Sequence, residues 1–473
     1  MEYLTLFFYK KFNNGGKESM TNDMTVGKPA KLILAFSIPM LVGNIFQQFY
    51  SMVDTIVVGR FIGVQALAAV GATGAMSFLV LGFIQGLTNG FAVIIAQKFG
   101  ANNEKGVKRS VAMSFYLSIA STIVITAISL IFAMPLLRIM KTPKDIINDS
   151  FKYIAIIYGG TLVVIFYNLF ASILRALGDS KTPLYFLILS SVINVILDIV
   201  LVVYIPLGVK GTAIATVVSQ GISCVLCYVY MKKKFPILKL SKKDWRLDIA
   251  LIRRLLNIGV PAAIQYSIIA IGIMILQVAI NGLGSTVVAS YTAASKVEQL
   301  VTQPAATFGT AMATYAAQNL GAKKIERIKE GVKKCVIIST IINVAAGMIL
   351  VLFGRSFTKL FVSADKVHVI EYAQQYLNTI SVFLWILGLL FIYRNTIQGI
   401  GNASVPMMAG IAELVMRTIA AVGLSALVGY TGICFASPIA WIGSTVILIS
   451  SYYVIMKKLI KKHETEVSSL EAC

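Results

Sequence analysis

Apolar residues in this chain come in long blocks, each reaching or exceeding the ~20 residues that a helix needs to cross ~30 Å of hydrocarbon. Twelve such blocks are separated by turn and charge punctuation, near 31–59, 64–97, 107–132, 150–174, 183–203, 209–231, 251–281, 285–319, 332–353, 371–396, 406–427 and 432–456. Apolar residues make up 57% and charged residues 13% of the chain, against about 45–50% and about 25% in soluble domains. The sequence therefore predicts an all-α polytopic membrane protein with 12 transmembrane helices. Several blocks exceed the minimum, so tilt or bending is expected, with Pro39 and Pro261 as candidate kinks in spans 1 and 7. Pro183 and Pro406 instead open helices.

The formal charge of +22, from 42 basic and 20 acidic residues, would suggest nucleic acid in a soluble chain. In a membrane chain the same excess orients loops, so no nucleic-acid partner is expected and the partner is the bilayer. With both termini inside, 31 of the Lys and Arg residues fall on the inner side and 9 on the outer, while Lys296 and Arg417 lie within spans. That asymmetry fits the positive-inside rule and predicts cytoplasmic N- and C-termini. The stretch Trp245 to Leu256 in the basic linker is expected to lie as an amphipathic helix on the inner leaflet.

The two halves repeat at a spacing of about 222 residues. Pro39 matches Pro261, and Gln97-x-x-Gly100-Ala101 returns as Gln318-x-x-Gly321-Ala322. Gly178-Asp179-x-x-x-Pro183 returns as Gly401-Asn402-x-x-x-Pro406, and Gly208-x-x-Gly211-x-x-x-Ala215 as Gly429-x-x-Gly432-x-x-x-Ala436. Six spans per unit make both enter from the same side, so the pseudo-two-fold axis of these parallel repeats runs along the membrane normal. The expected organisation is a tail over 1–24, a first lobe over 25–231, a linker over 232–250, a second lobe over 251–457 and a tail over 458–473. Two such repeats suggest a transporter working by alternating access, although a duplicated structural bundle has the same pattern.

Enzymatic and redox readings lack residues. Five scattered cysteines give neither a disulfide framework nor a zinc spacing, and Cys224-x-x-Cys227 sits inside an apolar run where two small residues fill a helix face. His368 and His463 are the only histidines, so neither a metal cluster nor a resident cofactor is expected. The first 19 residues do not fit a secretory signal, because Tyr3 to Tyr9 precede Lys10 and Lys11. Gly15-Gly16-Lys17-Glu18 ahead of Met20 suggests an over-extended start, which an N-terminal peptide beginning at Met1 would refute.

An ionisable residue inside a span costs ~2.5–3.5 kcal/mol on insertion scales and is a functional candidate. Asp54 heads a stripe with Tyr50, Gln47 and Gly43 on one face of span 1, a face expected to line water or a cavity. In span 5, Asp198 stands above Asn194 and Ser190 or Ser191. Both acids fall in the outer half at similar depth without a basic residue one turn away, which makes them a plausible proton-exchanging pair; each alone is also readable as a neutral helix-to-helix hydrogen-bond donor. In the second half, Glu413 and Arg417 are four apart and suited to pair along span 11. Glu298 has Arg394 as a candidate partner, and Lys296 is an alternative cation nearby. Twenty Tyr, 25 Phe and 17 Met offer adaptable apolar and π surface suited to bulky organic cations, although most such residues simply face lipid or pack.

These residues resemble the multidrug and toxic compound extrusion (MATE) family of antiporters. The similarity covers Thr25 to Lys458 through Ile38-Pro39, Val53-Asp54-Thr55-Ile56, Ala96-Gln97-x-x-Gly100-Ala101, Leu174-Arg175-Ala176-Leu177-Gly178-Asp179, Asn194-x-x-x-Asp198 and Gln398-Gly399-x-Gly401. The resemblance implies two six-helix lobes around a V-shaped cavity, exporting cationic amphipathic compounds in exchange for H⁺ or Na⁺ from a bacterial inner membrane, as a monomer. It is closer to the bacterial branch with coupling acids in the first lobe, which carries ion coupling onto Asp54, Asn194, Asp198 and Asn168. Substrate-lining candidates are Gln47, Tyr50, Ser190 and Thr216. Other branches place a carboxylate in span 7, where this chain has Gln265. Ile199 stands where relatives often have proline, so the bending of span 5 is expected to differ. Flippases of lipid-linked or polyanionic cargo share the fold distantly but call for several Arg or Lys in the cavity, and the first half has none deep in a span.

Overall fold

Long apolar stretches interrupted by short polar turns give helices and nothing else among the described residues, 23–362 and 366–471 of the computed structural model. The expectation for the first 19 residues lies outside them, as does the side chain of Tyr50. Span 1 is α1 (Pro29–Val57), span 2 is α2 (Val64–Ala72) with α3 (Gly74–Gly100), and span 3 is α4 (Glu104–Ile139). Span 4 is α5 (Ile147–Gly159) with α6 (Thr161–Ala176), span 5 is α7 (Lys181–Ile199), and span 6 is α8 (Val209–Lys234). The second repeat begins with α9 (Ile249–Asn281) and continues with α10 (Ser285–Val301), α11 (Gln303–Gly321), α12 (Ile325–Thr358) and α13 (Val367–Gly399). It ends with α14 (Ser404–Ile419), the short α15 (Ser425–Val428) and α16 (Tyr430–Glu471). Ten spans are individually long and apolar enough to cross a bilayer, and α5 with α6, bent by 48°, makes an eleventh. The twelfth, α10 with α11, carries Lys296, Glu298, Gln299 and Gln303, and this polarity is why hydropathy alone passes it over.

The breaks have local causes. Thr73 donates its hydroxyl to Val70 O (2.7 Å) between α2 and α3, and Thr302 donates to Glu298 O (2.9 Å) between α10 and α11, so the same back-bonding interrupts spans 2 and 8. At the α5–α6 break, Thr161 donates to Tyr158 O (2.6 Å), and Gly160 leaves room for Val217 of α8. Span 10, the counterpart of span 4, is the unbroken α13. Three spans end in a wide π turn: Val58–Ile62 after α1, Val200–Tyr204 after α7 and Ala420–Leu424 after α14. The π turn of span 5 begins directly after Ile199, in place of a proline-induced bend.

The repeats meet along α3 and α9, where small residues bring backbones together. A methyl group at Gly90 would overlap the backbone of Gly259, and one at Gly86 the backbone of Ala262 and Ala263. At the end of the bundle that carries the linker, Gly100 abuts the carbonyl of Gln318 and Gly321 abuts that of Gln97. The same glutamines clasp across the seam: Gln97 donates to Gly399 O (3.0 Å), and Gln318 donates to Ala176 O (2.8 Å) while accepting from Met24 N (2.9 Å). Buried amides thus satisfy carbonyls that α6 and α13 leave open at their C-terminal ends.

The linker lies against the first repeat. Phe235 is buried, and Trp245 packs edge-on to Phe115 (5.7 Å) and Tyr116 (5.5 Å) of α4. The surface helix expected over Trp245 to Leu256 does not form as a unit; Asp248 caps α9 by accepting from Leu251 N (3.0 Å), so 249–256 is the first part of span 7. An ion pair with Arg109 (2.9 Å) fixes the same aspartate.

Candidate functional site

The geometry follows from how α1 and α7 pack. Gly43 lets Leu184 approach α1 closely, and the polar stripes of the two helices climb side by side toward the end away from the linker. There the carboxyls of Asp54 and Asp198 come together. Asp198 and Asn194 are fully buried, and Asp54 is half-buried. Asn194 donates to Thr216 Oγ1 (3.4 Å), and Thr216 in turn donates to Thr212 O (3.0 Å), which ties the pair's support to α8. Tyr153 of α5 lies within electrostatic range of both carboxyls. Sequence reading passed over Tyr153 because a tyrosine near a span end is ordinary interface furniture.

Below the acids, toward the linker end, a cavity of about 240 Å³ opens inside the first repeat. Gln47, Asn168, Ser190 and Ser191 line it together with Asn44, Gln85, Tyr167 and Gln220. Asn168 points its amide nitrogen at Val164 O (2.8 Å) in its own helix. Asp54 and Asp198 are not among the residues that line this cavity, which reaches Gln47 and Ser190 below them. Thr216, a substrate-lining candidate, is the hydrogen-bond partner of Asn194.

Arg175, one of the inner-side cations in the charge count, belongs to the last turn of α6 and lines both this cavity and a smaller one of about 40 Å³ between the repeats. Its Nη2 donates to Ser172 Oγ (2.8 Å) and to Asn89 Oδ1 (3.4 Å), and Tyr266 of α9 lines the smaller cavity together with Asn89. Asn395, Gln398, Thr310 and Thr314 complete the polar wall on the second repeat.

Charges of the second repeat are arranged differently. Glu413 accepts from Arg417 Nη2 at Oε1 (2.7 Å) and from Arg394 Nη2 at Oε2 (2.6 Å), and all three side chains are buried. The pairing of Glu298 with Arg394 is therefore not made. Arg394 turns to α14, and Glu298 accepts from Tyr376 Oη (2.8 Å) beside the ring of Tyr291. Lys296 is exposed and does not reach into this cluster. Gln265, at the span 7 position, accepts from Gln398 (2.8 Å). Among the described residues no group of three or more His, Cys, Asp or Glu is placed to hold a metal ion.

Comparison with known proteins agrees with this architecture. The MatE family model matches residues 39–200 and again 261–422, once per repeat. The probable multidrug resistance protein YpnP of Bacillus subtilis is 30% identical over 381 residues, covering 80% of this chain and 84% of the relative. YoeA of the same organism, also described as a probable multidrug resistance protein, is 31% identical over 338 residues, covering 70% and 73%. A solved structure described as the outward-facing conformation of a multidrug resistance MATE family transporter of the MOP superfamily superposes with a TM-score of 0.88 at 22% identity, over 94% of this chain and 99% of that one.

Proposed function

Since the chain belongs to the MATE family of multidrug efflux transporters, we propose that it exports amphipathic, cationic compounds by antiport, with the Asp54–Asp198 pair as the ion-coupling centre. The observation that carries this reading is the juxtaposition of the two carboxyls, since two carboxylates in contact repel each other and a proton on one of them relieves the repulsion. That favours H⁺ over Na⁺ as the coupling ion. Releasing that proton leaves two anions in contact and drives α1 and α7 apart; binding it draws them together. Cargo in the cavity packed between those helices senses the change, so proton and cargo favour different states, which is the condition for exchange. Asn194 and Thr216 hold the pair in register, and Asn168 and Gln47 offer polar contacts to cargo.

The linker end faces the cytoplasm in this reading, because the basic segments collect there. A bacterial plasma membrane location and a monomeric working unit complete it. In proteoliposomes, an imposed pH gradient is expected to drive ethidium transport and an imposed sodium gradient is not. Asp54→Asn and Asp198→Asn are each expected to remove the response to pH; wild-type rates with intact pH dependence in both variants overturn the coupling assignment.

A second reading, export of lipid-linked or polyanionic cargo on the same fold, is favoured by Arg175. One guanidinium neutralises one acidic group rather than a polyanion, so the first reading is retained.

A further inference from the structure

Two polar cavities of this molecule meet at one guanidinium. The residues lining the 240 Å³ cavity include no Asp or Glu, those lining the 40 Å³ cavity include none either, and Arg175 is the residue common to both. Of its five N–H donors, only those on Nη2 have protein acceptors among the described residues, and these acceptors, Ser172 Oγ and Asn89 Oδ1, are neutral. Arg175 is half-buried, and a cation partly withdrawn from water is best matched by an anion with good geometry. The two fully buried arginines, Arg394 and Arg417, have that match in Glu413. Arg175 instead presents its remaining donors to open, polar space.

We propose that Arg175 is a recognition site for an acidic group, a carboxylate or a phosphate, carried by the transported amphipath. The inference rests on the antiport reading and narrows its substrate class from cations to zwitterions. A planar guanidinium matches a carboxylate through two parallel N–H donors, which gives both strength and orientation. Ser172 and Asn89 keep the fork aimed, and the smaller cavity is lined from both repeats, Tyr266 included, so an anion held there lies at the seam. The 240 Å³ cavity then accommodates the body of the ligand, with Gln47, Asn44 and Gln85 along its walls.

The test compares two fluorescent rhodamines with the same ring system, one bearing a free carboxylate and the other its methyl ester. Binding to the purified full-length chain is followed by fluorescence polarisation, and dye efflux is followed in proteoliposomes under a pH gradient. The wild-type chain is expected to bind the acid about tenfold more tightly than the ester, the size of one charge-assisted hydrogen-bond pair. Arg175→Gln is expected to bring the ratio to about one, and Arg175→Lys, which keeps the charge but not the fork, to retain part of it. The Lys variant decides the matter if Arg175→Gln fails to fold. Millimolar inorganic phosphate is expected to leave the preference in place; if it abolishes the preference, the site serves free anions and the assignment to cargo falls. Equal affinities for acid and ester in the wild-type chain, or a preference that survives Arg175→Gln, overturn the site even while proton-driven efflux of the ester continues. Loss of coupled efflux with the acid preference intact overturns the antiport reading and supports the site.

Discussion

Both repeats bury acidic residues, Asp198 in span 5 and Glu413 in the corresponding span 11, and treat them in opposite ways. In the first, Asp54 and Asp198 meet each other; in the second, Glu413 is closed in by Arg394 and Arg417. A carboxylate between two guanidiniums has no reason to change its protonation, whereas two adjacent carboxyls change their interaction whenever a proton joins or leaves them. Duplication thus supplied two copies of one scaffold, and side-chain choice at spans 1, 5, 10 and 11 made one of them a candidate for ion exchange and the other a rigid counterpart. The backbone reinforces the contrast, for span 4 is bent by 48° at Gly160 while span 10 is one unbroken helix.

The sharpest way to break this comparison is Glu413→Gln. It leaves two buried guanidiniums without their anion and is expected to destabilise the chain by about 3–5 kcal/mol, read as a large fall in melting temperature in detergent. Asp198→Asn should do the reverse, with stability within about 1 kcal/mol of wild type and substrate-driven proton movement reduced tenfold or more. If the aspartate variant unfolds and the glutamate variant only uncouples, the roles assigned to the two repeats are exchanged. Gln97→Ala and Gln318→Ala test whether the repeats are equivalent at the seam: the first loses one buried cross-seam bond, worth about 1 kcal/mol, and the second loses the bond from Met24 N as well, so hydrogen exchange is expected to accelerate more at the end of α11 than at the end of α3. The smallest effect is expected from Tyr376→Phe. It removes the donor to Glu298 and should cost about 1 kcal/mol without altering the pH response of transport.

Much of this organisation is legible in the sequence because lipid imposes strong rules. Span length, the i, i+4 placement of Asn194 and Asp198, and the 222-residue repeat are all one-dimensional patterns. Partner choice is not. Arg394 had Glu298 and Glu413 within reach, and only the packing of α13 on α14 selects Glu413. Arg175 looks like one more inner-side cation in a charge count, since its turn into the cleft depends on Ser172 and Asn89 from two helices. The repeated glutamines announce equivalence but not contact. The π turns carry no composition mark; they arise where the chain accommodates one extra residue per turn beside a packed neighbour.

One consequence of the glycine contacts at the linker end concerns what must move. Gly100 and Gly321 rest on peptide carbonyls of the opposite repeat, so that mouth is shut by main chain and not by a plug of side chains. No rotamer change can clear it. Any molecule passing there requires the halves to part as rigid bodies, breaking both glutamine bonds together, and the tightness of that closure is set by the absence of two β-carbons.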